Sequence, residues 1–182
     1  MEGTNEERLT NEINTYLLRA IRVTQAFIPY FRKHKKALFI ATASIGGLVT
    51  FSFNSIYHAT KWVLEGWSES LSFELGQFGI GVKTVSPVGI STDFASRKLV
   101  MTNHAAYSDR MEKVLQVFKD PGRVLSHSTA EDIAAEEYEA ATDGKKQLRY
   151  VARNDAKAIY AQRLQVGDET FRNGVMKLFF VD

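Results

Sequence analysis

The run Ala37-Leu38-Phe39-Ile40-Ala41, set between two long stretches of helical periodicity, constrains the fold of this chain more than any other feature. Consecutive apolar residues without alternation read as a strand buried on both faces, and such strands belong to parallel sheets covered by helices. Before the run, Leu9, Ile13, Leu17, Ala20, Ile21, Val23 and Phe27 recur at helical spacing behind the capping-box pattern Thr4-Asn5-Glu6-Glu7. They predict a helix to about Arg32 that Pro29 bends or ends. After the run, Ser44-Ile45-Gly46-Gly47 reads as a loop, and Ser55 opens a helix through Leu64, Leu71 and Leu75 to about Phe78. Further elements follow in order: a strand at Val82 to Val85, a helix at Ala106 to Phe118 stopped by Asp120-Pro121-Gly122, and a helix to Ala141 capped by Thr129. A strand at Gln147 to Val151 and helix from Asp155 to near Phe179 complete the chain. This alternation is the grammar of an α/β fold with a parallel sheet, here of three strands in one domain over residues 1–182, with at least one raw edge.

The totals exclude several function classes. Of 182 residues, 45% are hydrophobic and 24% charged, the balance of a chain that folds around a core. A net charge of +2 gives no global attraction to nucleic acid. Arg32 to Lys36 reads as a solvated helix end, its cations matched to the negative pole of the helix dipole. With no cysteine there are no disulfides or thiolate metal sites, which agrees with a cytoplasmic location. His34, His58, His104 and His127 do not fall at zinc-ligand spacing, so no metal is expected. Ala37 to Tyr57 carries no charge, but Thr42, Ser44, Gly46, Gly47, Thr50, Ser52, Asn54 and Ser55 interrupt it, so no membrane span is expected.

The chemistry concentrates at Tyr57 and Lys61, with Ser44 thirteen residues before the tyrosine. A phenol and an ammonium at i and i+4 share a helix face, and the ammonium favours the phenolate, lowering the tyrosine pKa. A tyrosine so placed can exchange protons as a general acid–base catalyst, and Ser44 supplies a hydroxyl to hold a carbonyl or alcohol oxygen beside it. In the predicted order Ser44 follows the carboxyl end of the first strand, and Pro87-Val88-Gly89 the carboxyl end of the second. Those are the positions where open α/β sheets bind ligands.

These residues resemble the short-chain dehydrogenase/reductase family: Tyr57-His58-Ala59-Thr60-Lys61 as its Tyr-x-x-x-Lys, Ser44 as its serine, and Pro87-Val88-Gly89-Ile90-Ser91-Thr92 as its post-strand loop. The resemblance runs over nearly the whole chain and implies a three-layer Rossmann-like sheet flanked by helices. It implies an oxidoreductase interconverting an alcohol and a ketone or aldehyde with NAD or NADP. Ser44, Tyr57 and Lys61 would be catalytic. Tyr57, Lys61, Pro87, Gly89, Ile90 and Thr92 would hold the cofactor, and Phe94 to His127 would cover the substrate. The family's subunits pair through two helices that correspond to residues 6–32 and 57–78, so a homo-oligomer is expected.

The chain departs from the family pattern in three ways. It opens at what matches the family's fourth helix, so the glycine-rich nucleotide-binding half is expected to be missing and cofactor binding and activity to be impaired. Gly76, Gly79 and Gly81 do not replace it, because they follow a helix and precede a strand. The family's catalytic asparagine falls, counted without a gap, on Tyr16; Asn14 is two residues away, about 200° around the helix. Val88 stands where glycine is usual, and a positive backbone angle there would be costly. A non-catalytic fragment or association module is the alternative.

Overall fold

The computed structural model describes residues 1–90, 104–119 and 128–180. Its sheet has three parallel strands, β1 (Ala37–Thr42), β2 (Ile80–Ser86) and β3 (Arg149–Val151), in spatial order β1-β2-β3. The first two pair from Ala37 opposite Ile80 to Thr42 opposite Val85. The central strand β2 is therefore the buried one, and β1 is an edge whose apolar residues are only half-buried. The reading of Ala37 to Ala41 as buried on both faces is corrected to that extent: among the described residues β1 pairs with β2 alone, and the helical layers cover it less fully than they cover β2.

Alternation along β2 builds the layers. Ile80 and Val82 pack with Leu71 and Leu75 of helix α3 (Ser55–Gly76), joined by Ile28 and Phe31 of α2 (Arg19–His34). Val85 faces the other way, packing with Ile133 and Ala140 of α5 (Ala130–Thr142) and with Tyr150. On that same face the Lys83 ammonium is enclosed. It donates to the Ala140 carbonyl at 2.7 Å, to Asp143 Oδ1 at 2.8 Å and to the Tyr150 hydroxyl at 3.1 Å. The result is the expected three-layer Rossmann-like arrangement of helices on both faces of a parallel sheet.

Several boundaries differ from expectation. The first helical stretch is not continuous: α1 (Glu6–Ile13) runs into a π-helical turn over Asn14–Leu18 and then into α2. Asn5, not Thr4, caps it by accepting from the Arg8 amide at 2.9 Å. Pro29 does not end α2, which continues to His34 and closes on Lys35 in the left-handed conformation at φ 54°. Gly79 (φ 70°) turns the chain beneath it, and a Cβ there would lie 2.8 Å from the Lys35 carbonyl oxygen. The capping box of Thr129 and Asp132 forms as read. The helix expected at Ala106 to Phe118 is a 3₁₀ turn, Ala105–Tyr107, followed by α4 (Ser108–Lys119). The C-terminal helix is two, α6 (Arg153–Val166) and α7 (Asp168–Phe180), divided at Gly167 (φ 79°). The Arg163 guanidinium of α6 lies 5.1 Å from the Trp62 ring and 5.6 Å from that of Phe171, docking this pair on α3. Among the described residues no helix is long and apolar enough to cross a membrane, and no cluster of possible metal ligands occurs.

Candidate active site

Ser44 lies two residues past the end of β1, where a 3₁₀ turn, Ile45–Gly47, redirects the chain; its hydroxyl caps that turn by accepting from the Gly46 amide at 3.1 Å. Beyond it Ile45, Leu48 and Val49 are buried against Val88, Ala156 and Phe171, so helices α6 and α7 support the serine loop from behind. The Ile45 amide donates to the Pro87 carbonyl at 2.8 Å, which ties this loop to the one leaving β2. Both loops therefore stand at the carboxyl edge of the sheet, as the spacing predicted.

Helix α3 brings the tyrosine and lysine to the same place. Tyr57 is in its first turn, with its ring against Gly46 of the serine loop, where a Cβ on that glycine would lie 3.1 Å from Tyr57 Cε1. The Lys61 ammonium, one turn on, is buried and donates to the carbonyls of Ala43 at 3.1 Å and Thr42 at 3.4 Å. It also lies 5.7 Å from the centre of the Tyr57 ring. All three catalytic candidates are thus assembled.

The electrostatics differ from the sequence expectation. Burial raises the Tyr57 pKa above its ordinary value; the neighbouring Ser44 hydroxyl acts to lower it, and the charge of Glu12 raises it further. Desolvation disfavours the phenolate more than the hydroxyl contact favours it, so the ligand-free phenol is held protonated. Burial lowers the Lys61 pKa, opposed by the carboxylate of Glu65 one turn further along α3.

Glu65 and His58 are site-building residues that the sequence did not reveal. Glu65 is buried and accepts from Ser86 Oγ at 2.5 Å, Thr84 Oγ1 at 3.0 Å and Arg149 Nε at 3.2 Å, fixing α3 to β2 and β3. A lone glutamate in an amphipathic helix carries no signal of this. His58 accepts the Phe51 amide on Nε2 at 2.9 Å and so donates from Nδ1 to the Gly46 carbonyl at 2.7 Å, latching both ends of the serine loop to α3. Its burial lowers its pKa, against the raising effect of those two backbone bonds.

Of the expected cofactor residues, Pro87 is buried, Gly89 is exposed and accepts from the Ser128 amide at 2.9 Å, and Ile90 bridges to Ser128. Thr92 and most of the expected cover at Phe94 to His127 lie outside the described residues. Val88 is buried and is not among the described non-glycine residues at positive φ, which are Lys35, Phe53 and Arg153, so no strain arises there.

The short chain dehydrogenase family model matches residues 1–102. The chain belongs to the short-chain dehydrogenase family. An uncharacterized oxidoreductase of the fission yeast Schizosaccharomyces pombe is 31% identical over 171 residues, 94% of this chain and 72% of that protein. A short-chain dehydrogenase from Streptomyces avermitilis superposes with a TM-score of 0.77 at 24% identity, over 97% of this chain and 62% of its own. A short-chain dehydrogenase from Burkholderia cenocepacia in complex with NADP does so at 0.71 and 16%, over 94% and 60%. The chain thus spans about six-tenths of the length of these solved structures, whose likeness is one of fold.

Proposed function

We propose that the chain carries the proton-transfer half of an NAD(P)-dependent oxidoreductase that interconverts an alcohol and a carbonyl compound. The observation that carries this reading is the convergence of Tyr57, packed on the serine loop at Gly46, with the buried Lys61 ammonium, bonded to the Ala43 carbonyl next to Ser44, at the carboxyl edge of a parallel sheet. The donors fit a nicotinamide nucleotide. Of the three N–H bonds on Lys61, two reach the Thr42 and Ala43 carbonyls, which leaves one for a ribose hydroxyl. The loop from Pro87 to Ile90 is the natural seat of the nicotinamide amide, continued by Thr92. A bound reduced nicotinamide would supply the hydride.

The remaining steps belong to side chains of this chain. The Ser44 hydroxyl holds the substrate oxygen against the phenol, and Tyr57 gives its proton to that oxygen as the carbonyl is reduced. Because burial keeps the free phenol protonated, the resting site is set for reduction. Oxidation requires Tyr57 to lose its proton first, which a cation close to the phenol assists.

The adenosine side of the crevice is built elsewhere in the family, so we propose weak cofactor binding and little activity for these 182 residues alone. NADH and NADPH should bind at millimolar rather than micromolar concentration. Carbon-13 labelling of tyrosine and lysine, with nucleotide titrated in, reads this directly. Movement of the Tyr57 and Lys61 signals with a common millimolar midpoint supports the reading. Shifts confined to other residues refute the assignment of the site, and a micromolar midpoint refutes the proposed weakness.

Association of two copies is also proposed. Val23, Phe27 and Tyr30 stand at helical spacing on α2 and are 50–59% exposed, while Trp62 and Phe73 stand on α3 at 41% and 75%. Apolar stripes on these two helices suit a self-complementary interface. Light scattering reads the mass; a monomer at high micromolar concentration contradicts it.

A further inference from the structure

The sequence count placed Tyr16 where the family carries an asparagine, and the structure gives that tyrosine a partner. Tyr16 sits in the π-helical turn Asn14–Leu18, a distortion frequently found at functional sites. The Tyr16 ring meets the Tyr57 ring edge-on, at 5.8 Å between centres and 85° between planes. The Lys61 Nζ lies 5.5 Å from the centre of the Tyr16 ring and 5.7 Å from that of Tyr57. One buried ammonium therefore lies within cation–π distance of two aromatic rings from different helices and donates to two backbone carbonyls.

We infer that Tyr16 is a positioning residue for Lys61, its ring forming with Tyr57 an aromatic clamp that holds the ammonium charged and in place beside the proton-donating phenol. The inference deepens the proposed oxidoreductase site and rests on that reading for its purpose, but the clamp itself is a property of the ligand-free protein. A lysine taken out of water loses hydration, and the negative face of an aromatic ring within about 6 Å returns part of it. The carboxylate of Glu65 acts in the same sense from the next turn of α3.

The test follows the Lys61 Cε and Hε signals by NMR through an alkaline titration of the free protein, with Lys61→Met assigning them. In the wild type the Hε protons should resonate upfield of those of solvent-exposed lysines, because they lie near ring faces. Tyr16→Phe keeps the ring and should leave the Lys61 midpoint unchanged. Tyr16→Leu keeps an apolar side chain without the ring and should lower the midpoint by about 0.4 to 1.5 pH units, the range set by an aromatic contact with a cation. A wild-type signal without upfield displacement overturns the clamp even if the leucine variant does not fold. Equal midpoints in the leucine variant and the wild type overturn it, as does a fall in the phenylalanine variant matching that in the leucine variant, which would assign the effect to the hydroxyl. Nucleotide is absent throughout, so failure to bind NADH or NADPH would refute the oxidoreductase reading and leave this result standing.

Discussion

Replacing Gly47 by alanine should separate the serine loop from helix α3. A Cβ at Gly47 would lie 2.6 Å from the Lys61 carbonyl oxygen, 3.0 Å from the carbon of that carbonyl and 2.9 Å from Glu65 Cγ. Ordinary contact begins at 3.4 Å, so the loop must retreat by 3.4 − 2.6 = 0.8 Å, against backbone in the middle of a 22-residue helix that cannot yield locally. The Gly47 amide donates to the Ser44 carbonyl at 2.8 Å, so the retreat is passed to Ser44. Overpacking of this kind costs about 1–3 kcal/mol. In a chain of this size each kcal/mol moves the melting temperature by about 2–4 °C, which gives a fall of about 2–12 °C. Gly66→Ala is the control. It lies within α3 with nothing inside 4 Å of its Cβ position, and should stabilise the protein by about 0.5–1 kcal/mol through helix propensity alone. Urea unfolding followed by tryptophan fluorescence measures both variants. The reasoning is refuted if Gly47→Ala is as stable as the wild type, or if Gly66→Ala is the more damaging of the two.

Three further perturbations bear on the same assembly. Glu65→Ala leaves Thr84, Ser86 and Arg149 without their shared acceptor and should cost about 3–5 kcal/mol by urea unfolding, whereas a loss under 1 kcal/mol would contradict the network. The folded pKa of His58 lies below its unfolded value of about 6.5, so the unfolded chain takes up the extra proton as the pH falls. His58 should therefore contribute full stability above pH ~6.5 and lose it progressively below, with a falling urea midpoint between pH 7.5 and 5.5 that His58→Gln flattens; equal slopes in both proteins would exclude the latch. Lys35→Gly removes a Cβ from a left-handed backbone and should raise stability by about 0.5–1 kcal/mol, and destabilisation would contradict the assigned conformation.

What was legible in the sequence was what spacing controls. Apolar periodicity located the three strands and the long helix α3 because burial against neighbouring layers imposes it. Ser44, Tyr57 and Lys61 could be grouped because one lies after a strand and two share a helix face. The interruption at Asn14–Leu18 was not legible, since a π-turn adds one residue to a helical turn and leaves a hydrophobic stripe looking nearly continuous. Burial of Glu65 and His58 could not be read either, because their partners, Thr84, Ser86, Arg149 and the Gly46 and Phe51 backbone, become neighbours only once the layers close. The direction of the Tyr57 shift failed for a related reason. Sequence spacing shows a nearby cation but not how much water the fold removes.

The most direct test of the proposed proton-transfer site is the titration of Tyr57 itself, followed by tyrosine Cζ NMR in the free protein and in Ser44→Ala. Tyr57 should ionise above the ordinary tyrosine range, and loss of the serine hydroxyl should push it higher still. A Tyr57 that ionises at or below the ordinary tyrosine value and does not respond to the serine substitution would contradict the assembled site.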